Sequence, residues 1–180
     1  MTNYRRDHTP GASWFFTLNL ADRQATLLTD HITLLRDAFR YSMRRHPWSI
    51  EAIVILPEHL HTICTLPPAD ADYALRWRLI KATFSRSLPR IEPIKASRER
   101  KGERGIWQRR FWEHRIRDAS DFERHVDYIH LNPRKHGHVN RLIDWPWSSF
   151  HRYVERGLLP KDWGGEEMAN IATGEPVGHR

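Results

Sequence analysis

The sequence predicts an α+β domain built around an antiparallel hairpin. Three features point that way: apolar residues alternate from 13 to 20, two apolar runs meet at Pro57-Glu58, and helix-period stripes fill the segments on either side. A chain of 180 residues buries one core without covalent staples, so a single domain over residues 12–152 is expected, followed by a loosely ordered tail over 153–180. The one cysteine, Cys64, excludes an intramolecular disulfide framework. No apolar run approaches membrane-spanning length and no leader-like segment opens the chain, so the cytoplasm is the expected location.

The elements follow in chain order. Trp14, Phe16, Leu18 and Leu20 fall on one side of an extended segment, the pattern of a first strand. Ile32, Leu35, Phe39 and Met43 recur at helical spacing within residues 30–46, with Asp30 as the expected cap and Pro47 beyond the end. Residues 50–56 and 59–66 read as strands joined by so short a turn that they should pair antiparallel. Residues 70–88 carry the stripe of a second helix, and residues 106–117 contain another strand. The segment from Asp118 or Ser120 to Asn132 reads as a third helix. Ser120 and Glu123 have capping-box spacing, and Pro133 and Gly137 stop or redirect the chain. Residues 144–150, Asp-Trp-Pro-Trp-Ser-Ser-Phe, form a turn and short helix that pack over the sheet.

Charge narrows the class of partner. The formal net charge of +7 favours a polyanion, because a positive field steers phosphate backbones toward the surface. Residues 81–110 hold ten Lys or Arg against three Glu, so the basic character is concentrated, and residues 92–105 read as a flexible basic loop able to track a backbone. Arg109, Arg110, Arg115 and Lys135 are candidate phosphate contacts, and Trp107 and Trp112 are candidates for stacking on unpaired bases. No P-loop, Cys-rich zinc pattern or dinucleotide fingerprint is present.

The chemistry-bearing residues sit on two elements. Residues two apart in a strand share a face, so His59 and His61 present their imidazoles together while Leu60 enters the opposite layer. Tyr128 and Asn132 are one helical turn apart and so offer a phenol and a carboxamide on one face. His130 points elsewhere. Two imidazoles and an amide oxygen suit one divalent ion, magnesium or manganese, with zinc not excluded by the donor set. A metal-polarised phosphate in line with a phenol is a reasonable target for covalent phosphotyrosine formation.

Taken together, Leu56-Pro-Glu-His-Leu-His61, Trp107-Gln-Arg-Arg-Phe-Trp-Glu-His114, Tyr128-Ile-His-Leu-Asn-Pro-Arg-Lys-His-Gly137 and Asp144-Trp-Pro-Trp-Ser-Ser-Phe150 resemble the IS200-like, HUH-class single-tyrosine transposases. The resemblance is greatest to the REP-associated branch. It implies a ferredoxin-like antiparallel sheet flanked by helices, His59 and His61 as metal ligands with Asn132 as a further ligand, and Tyr128 as nucleophile. The implied reaction joins tyrosine to a DNA 5′ phosphate and leaves a 3′ hydroxyl. Single-stranded, hairpin-forming palindromic DNA is the implied partner, a monomer is favoured over a dimer, and DNA binding would place the protein at the nucleoid. Arg134 and Glu58 depart from the frequent valine and asparagine of the family pattern, which bears on substrate preference. Two other readings fit the same residues: a descendant that binds hairpins without cutting them, and a hydrolase that activates water on the same histidines.

Overall fold

The computed structural model describes residues 7–90, 100 and 104–165. Most of the basic segment 92–105, and residues 166–180 of the expected tail, lie outside the described residues. Four strands, β1 (Ser13–Asn19), β2 (Ser49–Ile55), β3 (His59–Thr65) and β4 (Trp112–Arg115), form one sheet in the order β2-β3-β1-β4. Every pairing is antiparallel. Helices α1 (Leu27–Asp30) and α2 (Ile32–Arg45) link β1 to β2, and α3 (Tyr73–Ser87) links β3 to β4. This is the ferredoxin-like plan, with the first and third strands central. Helix α4 (Ala119–Lys135) then crosses to the other face, and a short 3₁₀ turn and α5 (Phe150–Glu155) follow.

Alternation within the strands decides which residues enter which layer. Trp14, Phe16 and Leu18 of β1, with Leu60 and Cys64 of β3, pack against Leu35 and Phe39 of α2 and Trp77, Ile80 and Phe84 of α3. Phe15, Val54 and Ile63 face the other way, onto Val126, Tyr128 and Ile129 of α4. Burying both faces of one sheet is what this much apolar surface requires, and it ties α4 to the strand that carries the two histidines. Arg76 is 1% exposed, and its guanidinium donates to the carbonyls of His46 (3.1 Å) and Pro47 (2.7 Å) and to the Asp70 carboxylate (2.6 Å), locking the end of α2 to the start of α3.

Three sequence expectations need correction. Asp30 does not cap α2. His31 occupies that position without a side-chain bond, and the Asp30 carboxylate accepts from Thr26 Oγ1 instead. Asp118, not Ser120, caps α4 by accepting from the Asp121 amide at 2.8 Å, because the helix begins two residues earlier than a Ser120 cap would allow. The helix also passes through Pro133 to Lys135. A proline this close to the C-terminus removes one hydrogen bond without ending the last turn. The 145–149 segment packs as expected and covers the outer edge of β2. The Ile55 amide donates to Trp147 O (2.9 Å), the Ser149 amide to Ile53 O (2.8 Å), and Trp145 Nε1 to Ile55 O (3.0 Å). An edge strand that would otherwise offer unpaired amides is closed by its own chain.

Candidate functional site

Strand β3 places His59 and His61 on the α4 side of the sheet, 3% and 2% exposed, with Leu60 in the opposite core. Their rings lie 4.9 Å apart, nearly perpendicular. Each is held by its Nδ1. Thr17, the register partner of His61 on β1, brings Oγ1 to 2.8 Å from that nitrogen. Glu58, in the turn, accepts from His59 Nδ1 at 2.7 Å. Because a carboxylate only accepts, His59 Nδ1 carries a proton in this bond, which leaves Nε2 as the ring nitrogen that could face a metal. Burial opposes ionisation of Glu58, but the bond and charge of His59, a backbone bond and Arg23 outweigh it and lower its pKa to about 2. Burial, reinforced by the positive charges of His59, His136, Lys135 and Arg23, holds His61 well below the ordinary histidine value, so it is the neutral base a metal ligand must be.

Helix α4 supplies the opposing wall. Tyr128, Asn132 and His136 stand one turn apart on one face. The Tyr128 ring lies 5.1 Å from His61 and the His136 ring 5.0 Å from His59, so this face runs along the imidazole pair. Asn132, between them, is 0% exposed, and neither its Oδ1 nor its Nδ2 has a hydrogen-bond partner among the described residues. An unsatisfied buried amide costs about 1–3 kcal/mol, so its retention here is a sign of a missing third party. Lys135 Nζ lies 4.7 Å from the Tyr128 ring centroid. The structure therefore brings together the four residues that the sequence singles out, on two elements.

His130 turns away as expected: Nε2 is 3.0 Å from Ser149 Oγ and the ring packs on Tyr153. The remaining candidates scatter. Arg109 and Arg110 are exposed, and Arg115 ion-pairs with Asp7 at 2.9 Å. Trp112 is half-buried against Phe15 and stacked on His114. Trp107 is 6% exposed, its ring edge-on to Phe84 in the core, so packing rather than base stacking uses its face. Sequence reasoning missed Thr17 and His136 as neighbours of the histidine pair. His136 has a signal, a continuation of the Tyr128 and Asn132 spacing by one more turn. Thr17 has none without the β1–β3 register.

A second group of potential ligands, His114, Asp121 and His125, has its atoms within 4.8 Å of one another. The Asp121 carboxylate there already accepts from His114 Nε2 (2.8 Å), the Arg117 amide (3.0 Å) and Arg124 (3.2 Å). Those donors pin the start of α4 to β4. A carboxylate so fully hydrogen-bonded has less to offer an ion than the open donor set beside Tyr128.

No family model matches the chain. A Haemophilus influenzae protein provisionally named a REP-associated tyrosine transposase is 48% identical over 172 residues, 95% of this chain and 98% of the relative. The REP-associated tyrosine transposase of Escherichia coli K12 is 45% identical over 177 residues, 98% of this chain and 99% of the relative. A solved structure of a REP-associated tyrosine transposase bound to a REP hairpin superimposes with a TM-score of 0.82 at 45% identity, covering 99% of this chain and 100% of that one. With relatives this similar along nearly the whole length, the chain belongs to the REP-associated tyrosine transposases, enzymes that act on DNA.

Proposed function

We propose that the protein cuts and rejoins single-stranded DNA at REP-type palindromic hairpins through a covalent bond between Tyr128 and a 5′ phosphate. One observation carries this reading: the Tyr128 ring stands 5.1 Å from His61 while the carboxamide one turn along its helix, on Asn132, is buried without a hydrogen-bond partner among the described residues. A hairpin substrate is supported by the solved relative, which was bound to a REP hairpin.

The Tyr128 oxygen attacks the scissile phosphorus, the P–O3′ bond breaks, and one proton leaves the phenol while one arrives on the 3′ oxygen. The ester formed conserves the bond for later rejoining. Membership of a tyrosine transposase family implies a divalent ion, and His59, His61 and Asn132 fit one: two oriented imidazoles and one amide with no other use. Magnesium or manganese, when bound, would neutralise charge developing on the phosphate. Glu58 and Thr17 fix the imidazole rings, and Lys135 Nζ lies over the Tyr128 ring, a positive charge near the proposed nucleophile. Arg109, Arg110, Arg115 and Trp112 are assigned to the DNA approach.

The test is a labelled REP-type hairpin incubated with manganese or magnesium. Wild type should yield a covalent protein–DNA species, whereas Tyr128→Phe should bind the hairpin and yield none. Cleavage without any covalent species would favour the water-activating hydrolase, and binding without cleavage by the wild type would favour a binding-only protein. The catalytic unit is assigned to residues 12–152 with 153–180 as its tail. A monomer is proposed, with a dimer as the alternative. Among the described residues no helix is long and apolar enough to cross a membrane, and a cytoplasmic protein that joins the nucleoid when DNA-bound follows from the substrate.

A further inference from the structure

Strand β1 reaches into the nucleophile's layer through a side chain with no polar atom. Phe15 is fully buried on the α4 side of the sheet, two residues before Thr17 and on the same face. Its ring lies 5.6 Å from that of His61 at an interplanar angle of 23°, a stacked contact. The ring of Tyr128 meets it edge to face, at 5.9 Å and 66°. One phenyl group therefore touches both the imidazole and the phenol. Strand β1 holds His61 twice, by Thr17 Oγ1 at Nδ1 and by Phe15 against the flat of the ring.

Phe15 is itself wedged in place. His125, three residues before Tyr128 on α4, packs on it at 4.8 Å, and Trp112 of β4 stands edge-on at 5.5 Å and 71°. Both of those rings are held in turn: His125 Nδ1 donates to Asp121 O at 2.7 Å, and Trp112 stacks on His114. Helix α4 thus rests on Phe15 at two successive turns, and the bulk of the ring sets how far the helix stands from the sheet at Tyr128. The register fixes the other end of that spacing, because Phe15 pairs with Ile63 on β3 and His114 on β4. A stacked contact on one side and an edge contact on the other are what a planar ring supplies and an aliphatic side chain of similar volume does not. The demand is strict, since a nucleophile displaced by about 1 Å loses on the order of 100-fold in rate.

We infer that Phe15 is a positioning residue for the transfer reaction: it sets the separation and angle between the His61 imidazole and the Tyr128 phenol, and so where the nucleophile stands relative to a phosphate held at the histidine pair. This rests on the roles of Tyr128 and His61 proposed above and gives a fully buried side chain a part in the chemistry beyond filling the core.

The experiment compares wild type with Phe15→Leu and Phe15→Met, which keep much of the apolar volume and lose the plane. Ile63→Val, which removes one methyl group at the register partner of Phe15 in the same layer, is the packing control. All are assayed at a temperature where melting curves show them folded. Three quantities are read: hairpin affinity by fluorescence anisotropy, the single-turnover rate of adduct formation at saturating hairpin and manganese, and the relaxation by bound manganese of fluorine carried on the tyrosines as fluorotyrosine. The chain has five tyrosines, and the Tyr128 resonance is the one missing from Tyr128→Phe. Paramagnetic relaxation falls steeply with distance, so it reads the separation of the phenol from the histidine pair without turnover. Both Phe15 variants should bind the hairpin as wild type does, lose about 10–100-fold in the saturated rate and show altered fluorine relaxation. Ile63→Val should match wild type in all three. A wild-type rate or wild-type relaxation in either Phe15 variant would overturn the inference. So would an Ile63→Val protein that lost as much as they did, since any loosening of the layer would then suffice. If bound manganese left the Tyr128 fluorine of the wild type unrelaxed, the proposed site itself would fall, a result distinct from any of these.

Discussion

Asn132 concentrates the conflict between stability and chemistry in one side chain. Its amide is buried with both polar atoms unbonded among the described residues, so exchanging it for an apolar group of similar size should remove that desolvation cost in the metal-free protein. Asn132→Leu is expected to raise the unfolding free energy by about 1–3 kcal/mol in chelator and to lose manganese-supported adduct formation. Chemical denaturation paired with the adduct assay checks both, and a drop in stability would mean that the amide is satisfied by something ordered within the fold. Glu58 acts one bond further out, because its carboxylate fixes the proton of His59. Glu58→Ala should weaken metal binding or activity by about 10–100-fold while leaving hairpin affinity intact, which calorimetry with manganese would read. His59, His61, Tyr128 and Asn132 are legible in the sequence because strand and helix periods alone put each pair on one face. Thr17 is illegible because its role depends on which strand pairs with which, and His136 because Pro133 reads as a stop that the helix ignores.

At the scale of elements, the placement of α4 decides whether there is a site at all, and Asp121 is its anchor. Burial resists its ionisation, but the His114 bond, the Arg117 amide and the charges of His114 and His125 hold its pKa below the ordinary 3.8. A carboxylate with a depressed folded pKa stabilises the fold above its unfolded value, and the contribution disappears as pH falls through the lower folded value. Asp121→Asn should therefore cost about 1.5–3 kcal/mol at neutral pH, with the gap from wild type closing only below pH 3.8. Melting temperatures of the two proteins across an acid series would show it, and a gap that did not change with pH would remove the charge from the explanation. The hairpin, the first strand and the three long helices are readable because their periods are strong, and prolines bound the hairpin, α2 and α3 though not α4. Helix ends are less so: Asp118 and Ser120 are equally good caps by composition, and only the turn out of β4 chooses between them.

Over the whole molecule, both sheet faces are buried, and Cys64 lies at 0% exposure in the α2/α3 core with its thiol pushed up to about 12, chiefly by burial. Alkylation of Cys64 should then be far slower in the native protein than in denaturant, following opening of the whole fold. Rapid labelling under native conditions would show that the α2/α3 layer detaches by itself. The four-strand order was readable only through family resemblance, since periodicity identifies strands and not their neighbours. One consequence of the connectivity concerns synthesis. The imidazole pair on β3 emerges from the ribosome well before the helix with the phenol, which follows β4 in the chain. If the proposed roles hold, a partly made chain would carry the imidazole pair without the proposed nucleophile, and adduct formation would require the finished fold.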